Sequence, residues 1–202
     1  MKKLTLEKFS ELSASSEPVP GGGGISASVA ALAASLGEMV TNLTIGKKKY
    51  LEYTDELEEY RKQLSDLRIE LLDCIDKDAE AFRPLSLAYK LPKDTENYDE
   101  IIEKCLRDAA DSPYNILLLT KRIIDIDERL ATIGSKLSVS DAATSVMLAQ
   151  GVLYGAYINI LVNTRLMKDK EYADNLEKEA KNIVDEYASK ALEIFNRISE
   201  RL

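Results

Sequence analysis

The 202-residue sequence contains no histidine, no tryptophan and only two cysteines. Without histidine it lacks the commonest acid–base side chain and the commonest metal ligand, and neither a Ser-His-Asp nor a Cys-His arrangement can be built. Any proton transfer falls to carboxylates, lysines, tyrosines or backbone groups. Cys74 and Cys105 fit no zinc spacing and suit a reducing compartment, so a cytoplasmic protein is expected. Strand-type alternation is scarce. Long apolar runs are scarce too: the greasiest stretch, Val146 to Val162, is interrupted by Gln150, two glycines, two tyrosines and Asn159, which suits a buried helix better than a membrane span. After Met1-Lys2-Lys3 come Glu7, Lys8, Ser10 and Glu11, so no apolar signal region follows the early lysines. The net charge of −8 argues against nucleic acid and against an anionic membrane surface as partners. An anionic small molecule would need a local basic cluster.

What remains is helical periodicity, punctuated by the few prolines and glycines. Thr5 is placed to cap a short helix over Leu6 to Ser13. A loop to Gly24 precedes a second helix, Ile25 to Thr44, whose small residues Ser26, Ala30, Ala33 and Gly37 invite close approach by another backbone. From Tyr50 an apolar seam runs through Tyr53, Leu57, Tyr60, Leu64, Leu67, Leu71 and Cys74 in alternating steps of three and four, a coiled-coil-like pattern. Pro84 kinks or ends that helix. Thr95 or Asp94 could cap a helix from about Asn97 to Asp111, and Pro113 kinks it or starts another, to about Ile133. A helix from about Ser140 to Asn163 is apolar nearly all round and hence central. A last helix runs from Glu171 to Arg201. The expectation is an all-α single domain over 1–202, a helical bundle of about six or seven helices with a buried central helix.

Four features could carry chemistry. The glycine-rich stretch Gly21-Gly22-Gly23-Gly24 opens a helix, where unpaired N–H groups could receive an anion or where a turn could pack closely. It is no Walker motif, since no Lys-Ser/Thr pair follows it. Asp78 takes the next position on the apolar seam, where the pattern calls for a hydrophobe. Such a carboxylate is either used, with a raised pKa, or a satisfied group that sets helix register. Asp76, two positions away, points to another face but could line a shared mouth. Asp141 opens the central helix; Ser138 stands three residues before it with capping-box-like spacing. Below Asp141 a small polar face descends through Ser145, Gly151, Gly155, Asn159 and Asn163, either lining a cleft or making a close helix contact. Lys47, Lys48 and Lys49 form the one three-lysine run, and Arg165 with Lys168 a second basic pair; either could hold a carboxylate.

These segments together resemble one family. The glycine run, the Ala-rich helix after it and Met39-Val40-x-Asn42-Leu43-Thr44-x-Gly46-Lys47-Lys48-Lys49-Tyr50 look like the start of the formiminotetrahydrofolate cyclodeaminase / methenyltetrahydrofolate cyclohydrolase family. Asp76-x-Asp78-Ala79-x-Ala81-Phe82 with Leu91-Pro92-Lys93, and Ser140-Asp141-Ala142, are similar to its next two motifs. The resemblance implies a helical enzyme, a homodimer, acting on one-carbon tetrahydrofolates with no metal and no cofactor beyond the folate itself. It implies ring closure of 5-formiminotetrahydrofolate with loss of ammonia as the expected reaction, or hydrolysis of 5,10-methenyltetrahydrofolate as the alternative, with a non-catalytic folate-binding module as the remaining one. On this reading Asp78 and Asp141 share the acid and base tasks. Lys47, Lys48, Lys49 and Arg165 hold the folate's glutamate tail, Gly21, Gly22 and Gly23 face its rings, and Asp76 lines the mouth of the substrate site.

Overall fold

The computed structural model describes residues 1–201, and every regular element among them is helical. In chain order these are α1 (Leu6–Ser13), α2 (Gly22–Thr44), a 3-10 segment (Lys48–Tyr53), α3 (Thr54–Ala88), α4 (Tyr98–Ile133), α5 (Val139–Thr164) and α6 (Lys170–Ser199). Thr5 caps α1 as its sequence position suggests, accepting from the Lys8 N–H at 3.2 Å.

At both internal prolines, where the sequence left a kink or a break open, the helix continues. α3 continues past Pro84 to Ala88, and α4 runs through Pro113 as one helix rather than two. A proline inside a helix leaves the carbonyl four residues earlier without its donor. For Pro113 that carbonyl is Ala109 O, and the Asn163 side chain of α5 donates to it at 3.3 Å. A neighbouring helix therefore supplies the hydrogen bond that the proline removes. α4 also starts differently: its N-cap is Asn97 in the left-handed region (φ 58°), while the Thr95 hydroxyl turns back onto Pro92 O. Asn tolerates that conformation better than most residues, which fits the position. The capping box at α5 does not form, because the Ser138 hydroxyl donates to Ser135 O at 3.3 Å.

α2 and α5 are antiparallel neighbours. Gly22 sits beside Asn159, Ser26 beside Gly155, and Ser145 donates to Ala33 O at 2.8 Å. α3 packs on α2 and α4, and α6 packs on α4 and α5, which completes the bundle. The seam read from Leu57 onward is the core edge of α3: Leu57, Leu64, Leu67 and Leu71 are almost fully buried. By length and composition α2 and α5 are apolar enough to cross a membrane (mean hydropathy 1.4 and 1.5). Here both are bundle helices. α5 touches α2, α4 and α6 and is central in that sense. It is not buried all round, however: Gly151, Tyr154, Ile158 and Val162 leave one apolar stripe exposed.

Two polar groups in the core come from the small-residue surface of α2. Gly37 leaves room for Asp127 of α4, which is fully buried; a Cβ on Gly37 would lie 3.0 Å from Asp127 Oδ1. Asp127 Oδ2 lies 2.6 Å from Ser145 Oγ. At the other end of α2, Thr44 Oγ1 accepts from the Ser135 N–H at 2.8 Å, and Lys47 Nζ donates to Ser135 Oγ at 2.7 Å. These contacts clasp the loop before α5 to the end of α2.

Candidate functional site

The helix α2 begins earlier than its apolar pattern suggests, at Gly22, so three glycines read as loop form its first turn. Its N-cap, Gly21, has no side chain to satisfy the free N–H groups of that turn. Asp78 of α3 does so from outside, accepting a hydrogen bond from the Gly24 N–H. Its second partner is the Ser112 hydroxyl of α4, which donates to Oδ1 at 3.2 Å. A seam position that breaks the hydrophobic pattern is thus where α3 crosses the start of α2.

Burial pushes the Asp78 carboxyl above its usual pKa, and the bonds from Ser112 and Gly24 pull it part of the way back. A negative charge is also favoured at a helix N-terminus. The group is consequently anchored, and its carboxyl holds a proton to higher pH than an ordinary aspartate does.

Asp78 faces a small cleft of about 120 Å³. Gly22 and Gly23 form one wall, Phe82 and Pro113 a second, and Asn159 and Asn163 a third. The glycines are required here by space. A Cβ on Gly22 would stand 2.8 Å from Asn159 Nδ2, and one on Gly23 would overlap the Asp78 carboxylate itself. Asn159 Nδ2 is spent on Gly155 O (2.7 Å), and Asn163 Nδ2 on Asn159 O and Ala109 O. Each amide oxygen is the part left to accept from a ligand N–H. A Gly23→Ala variant is expected to stay folded while its turnover falls about a hundredfold, because a displacement of about 1 Å at a reacting group costs that much. Thermal melting alongside steady-state kinetics checks it.

The sequence-derived residues divide into two groups. Gly21, Gly22, Gly23 and Asp78 come together in this cleft. Arg165 is the exposed residue that ends α5, one turn beyond Val162 in the cleft wall. Asp76 turns to another face, as its spacing suggests: it pairs with the Met1 amine, which holds its carboxyl below the ordinary range. Asp141 lies at the other end of α5. It is 18 positions from Asn159 on one helix, which at 1.5 Å per residue is about 27 Å. Lys47, Lys48 and Lys49 follow the end of α2, likewise about 30 Å from its glycines. Within one chain Asp78 and Asp141 therefore do not share a site.

Ser112, Phe82, Pro113, Asn159 and Asn163 were not singled out together by sequence pattern. The two asparagines did belong to the polar face of α5, and that face proves to be both things it could have been. At Ser145 and Gly155 it is a close helix contact with α2, at Asn159 and Asn163 it lines the cleft, and Gly151 does neither and is exposed.

Residues 5–182 match the family model described as formiminotransferase-cyclodeaminase. The chain is 34% identical over 202 residues to a methenyltetrahydrofolate cyclohydrolase of Methylorubrum extorquens, covering 98% of this chain and 97% of that one. It is 26% identical over 186 residues to the formimidoyltransferase-cyclodeaminase of Rattus norvegicus, covering 90% of this chain but only 34% of that much longer protein. The fold superposes on the crystal structure of a formiminotetrahydrofolate cyclodeaminase from Thermotoga maritima with a TM-score of 0.85 and 28% identity, over 98% of this chain and 96% of that one. The chain belongs to the formiminotransferase-cyclodeaminase family of folate one-carbon enzymes.

Proposed function

We propose that the Asp78 cleft acts on the one-carbon bridge between N5 and N10 of tetrahydrofolate, and that the reaction is hydrolysis of 5,10-methenyltetrahydrofolate to the 10-formyl form. The observation that carries the site is the placement of Asp78: a carboxyl of raised pKa, fixed by Ser112 and the Gly24 N–H, at the floor of a cleft walled by two asparagines. The preference for hydrolysis rests on the 34% identity to the methenyltetrahydrofolate cyclohydrolase of Methylorubrum extorquens, against 28% to the Thermotoga maritima cyclodeaminase.

The methenyl bridge is a cationic amidinium, and a carboxylate beside it stabilises that charge. Asp78 takes a proton from water as the water oxygen bonds to the bridge carbon, giving a neutral tetrahedral carbon between the two nitrogens. The bond from that carbon to N5 then breaks. N5 keeps the electron pair and receives the proton from Asp78, while the hydroxyl proton leaves to solvent as the formyl C=O forms on N10. One water is consumed and one proton released. The same carboxyl serves the cyclodeaminase reaction, in which N10 attacks the formimino carbon and ammonia departs. The relation to the Thermotoga maritima cyclodeaminase favours this as the second reading.

Near-ultraviolet absorbance distinguishes the two, because the methenyl form absorbs where the others do not. Methenyltetrahydrofolate is expected to lose absorbance faster with the protein than in buffer alone. A rise with 5-formiminotetrahydrofolate, accompanied by ammonia, would assign the cyclodeaminase instead. No change in either cuvette would refute catalysis on this bridge.

A further inference from the structure

Pro113 stands well inside the 36-residue helix α4, and it faces the Asp78 cleft. A proline in a helix interior is destabilising, because it removes a hydrogen bond and crowds the preceding turn. Here it has a use. Ala109, Ser112 and Pro113 share one face of α4, at steps of three and four. Ser112 donates to Asp78 Oδ1, and the Ala109 carbonyl, freed by the proline, receives Asn163 Nδ2 at 3.3 Å. Asn163 Nδ2 also donates to Asn159 O at 2.9 Å. An amide nitrogen carries two hydrogens, so both are occupied and only Oδ1 is left to act.

Among the described residues nothing donates to Asn163 Oδ1, and the oxygen is not sealed in the core, since Asn163 is half-buried on the cleft wall. Asn159 differs. Its Nδ2 makes one bond, to Gly155 O, and keeps a hydrogen. Asn163 is therefore the amide held as an acceptor only, and it shares the cleft with the Asp78 carboxylate. The cleft measures about 120 Å³, against roughly 300–1,000 Å³ for sites that enclose drug-sized ligands. It has room for a few waters, each with a share of about 30 Å³ in the liquid. Two fixed acceptors match the two hydrogens of one water molecule.

We propose that Asn163 is a second catalytic residue, which holds the attacking water together with Asp78, and that Pro113 is the positioning residue that fixes its amide. The water donates one hydrogen to Asp78 and the other to Asn163 Oδ1, which leaves an oxygen lone pair for the bridge carbon. As the oxygen–carbon bond forms, the first hydrogen passes to Asp78 as a proton. The second stays on the oxygen, as the hydroxyl of the tetrahedral carbon, and goes to solvent when the formyl C=O forms. Asn163 neither gives nor takes a proton; it sets the direction of the lone pair. In the cyclodeaminase reading the same two acceptors suit the hydrogens of the departing ammonia. The water's role rests on the folate reading above; the clamp on Asn163 does not.

The decisive variant is the double one, Pro113→Ala with Asn163→Ala. Asn163→Ala alone strips the Ala109 carbonyl of its donor and is expected to lower the melting temperature. Adding Pro113→Ala restores a backbone N–H to that carbonyl, so the double variant should regain most of the lost stability. Its kcat with 5,10-methenyltetrahydrofolate should nevertheless stay about a hundredfold below wild type, with KM changed by less than about threefold, because the lost group held water and not the folate. A double variant with wild-type kcat would mean that Asn163 merely patches the proline. A raised KM with unchanged kcat would make it a folate contact. Either result overturns the proposal.

Pro113→Ala alone keeps every polar side chain of the cleft and tests the proline. It should lose about tenfold in kcat, and the double variant should be no slower than Asn163→Ala, since the proline acts through that amide. Undiminished turnover in Pro113→Ala overturns its positioning role. Hydrogen exchange of the Asn163 side-chain amide, followed by NMR, reads the clamp without any folate. It should be slow in wild type and faster in Pro113→Ala; equal rates in the two overturn the clamp. A wild-type protein that turns over neither folate, yet shows this difference in exchange, would refute the folate reading and the water's role with it, and leave the clamp standing.

Discussion

Replacing Asp78 by asparagine leaves a folded protein whose turnover is about a thousandfold lower, the scale of losing a positioned acid–base group. The choice of asparagine matters because Asp78 has two jobs. It caps the first turn of α2 through the Gly24 N–H and accepts from Ser112. Asparagine keeps an acceptor oxygen for those bonds and ranks with aspartate as a helix cap. It cannot take a proton from water. Melting temperature should therefore move by only a few degrees while kcat collapses. Alanine would remove both jobs and confuse them. The pH profile gives a second readout. Asp78 must be ionised to act as a base, and burial holds its pKa above the usual carboxylate value. Activity should fall as pH drops through that raised pKa, an acid limb displaced upward from about 3.9, the ordinary aspartate value. The limb should vanish from the residual activity of Asp78→Asn. An asparagine variant with undiminished turnover would sink the catalytic role.

Replacing Asp127 by asparagine removes a pH dependence of stability without touching the cleft. The geometry identifies the protonation state. Ser145 Oγ lies 2.8 Å from Ala33 O and 2.6 Å from Asp127 Oδ2. A hydroxyl has one hydrogen. If it goes to Ala33 O, the short contact to Asp127 needs a hydrogen on the carboxyl. Asp127 is fully buried, with no cation against it and Oδ1 unpartnered, and burial drives its pKa well above the ordinary value. The group is therefore a neutral acid that donates to Ser145, which donates to α2.

Because the folded pKa is raised, the native state holds this proton longer than the unfolded chain does. The contribution to stability is complete below the unfolded pKa of about 3.9 and is lost as pH rises toward the folded value, at up to about 1.4 kcal/mol per pH unit. An asparagine side chain cannot titrate, so the Asp127→Asn variant should lack this slope. Near pH 4 wild type should equal or exceed it. At pH 7 to 8 the variant should be the more stable of the two, because the folded pKa is raised well above the unfolded one. Urea unfolding at four or five pH values checks it. Parallel stability curves for the two proteins would mean that Asp127 is ionised in the core.

Much of this molecule is legible in linear order. The seam from Leu57 to Cys74, the small-residue surface of α2 and the amphipathic stripe of α6 are periodicities, and periodicity decides which face of a helix leaves water. Asp78 was visible because it breaks such a pattern. The prolines were less legible. Pro113 interrupts a helix by every local rule, and only the Asn163 amide from another helix makes the uninterrupted α4 tolerable. The glycine run was legible as a start of something, but not as the first turn of α2, since what satisfies that turn is a carboxylate from α3.

Asp127 shows the same limit from the other side. It sits on α4 between Ile126 and Glu128, with nothing in its neighbourhood to set it apart from a surface acid. Its burial depends on a missing side chain 90 positions earlier, at Gly37. Composition and short-range spacing were enough for the helical class, the absence of histidine chemistry and the residue types available for catalysis, because each is a local property of the chain. Which of those residues meet is a matter of packing. It brought Asp78 to Gly23 and Asn159, and set Asp141 about 27 Å away along α5, because rigid helices fix distances along their length while packing alone chooses neighbours across it.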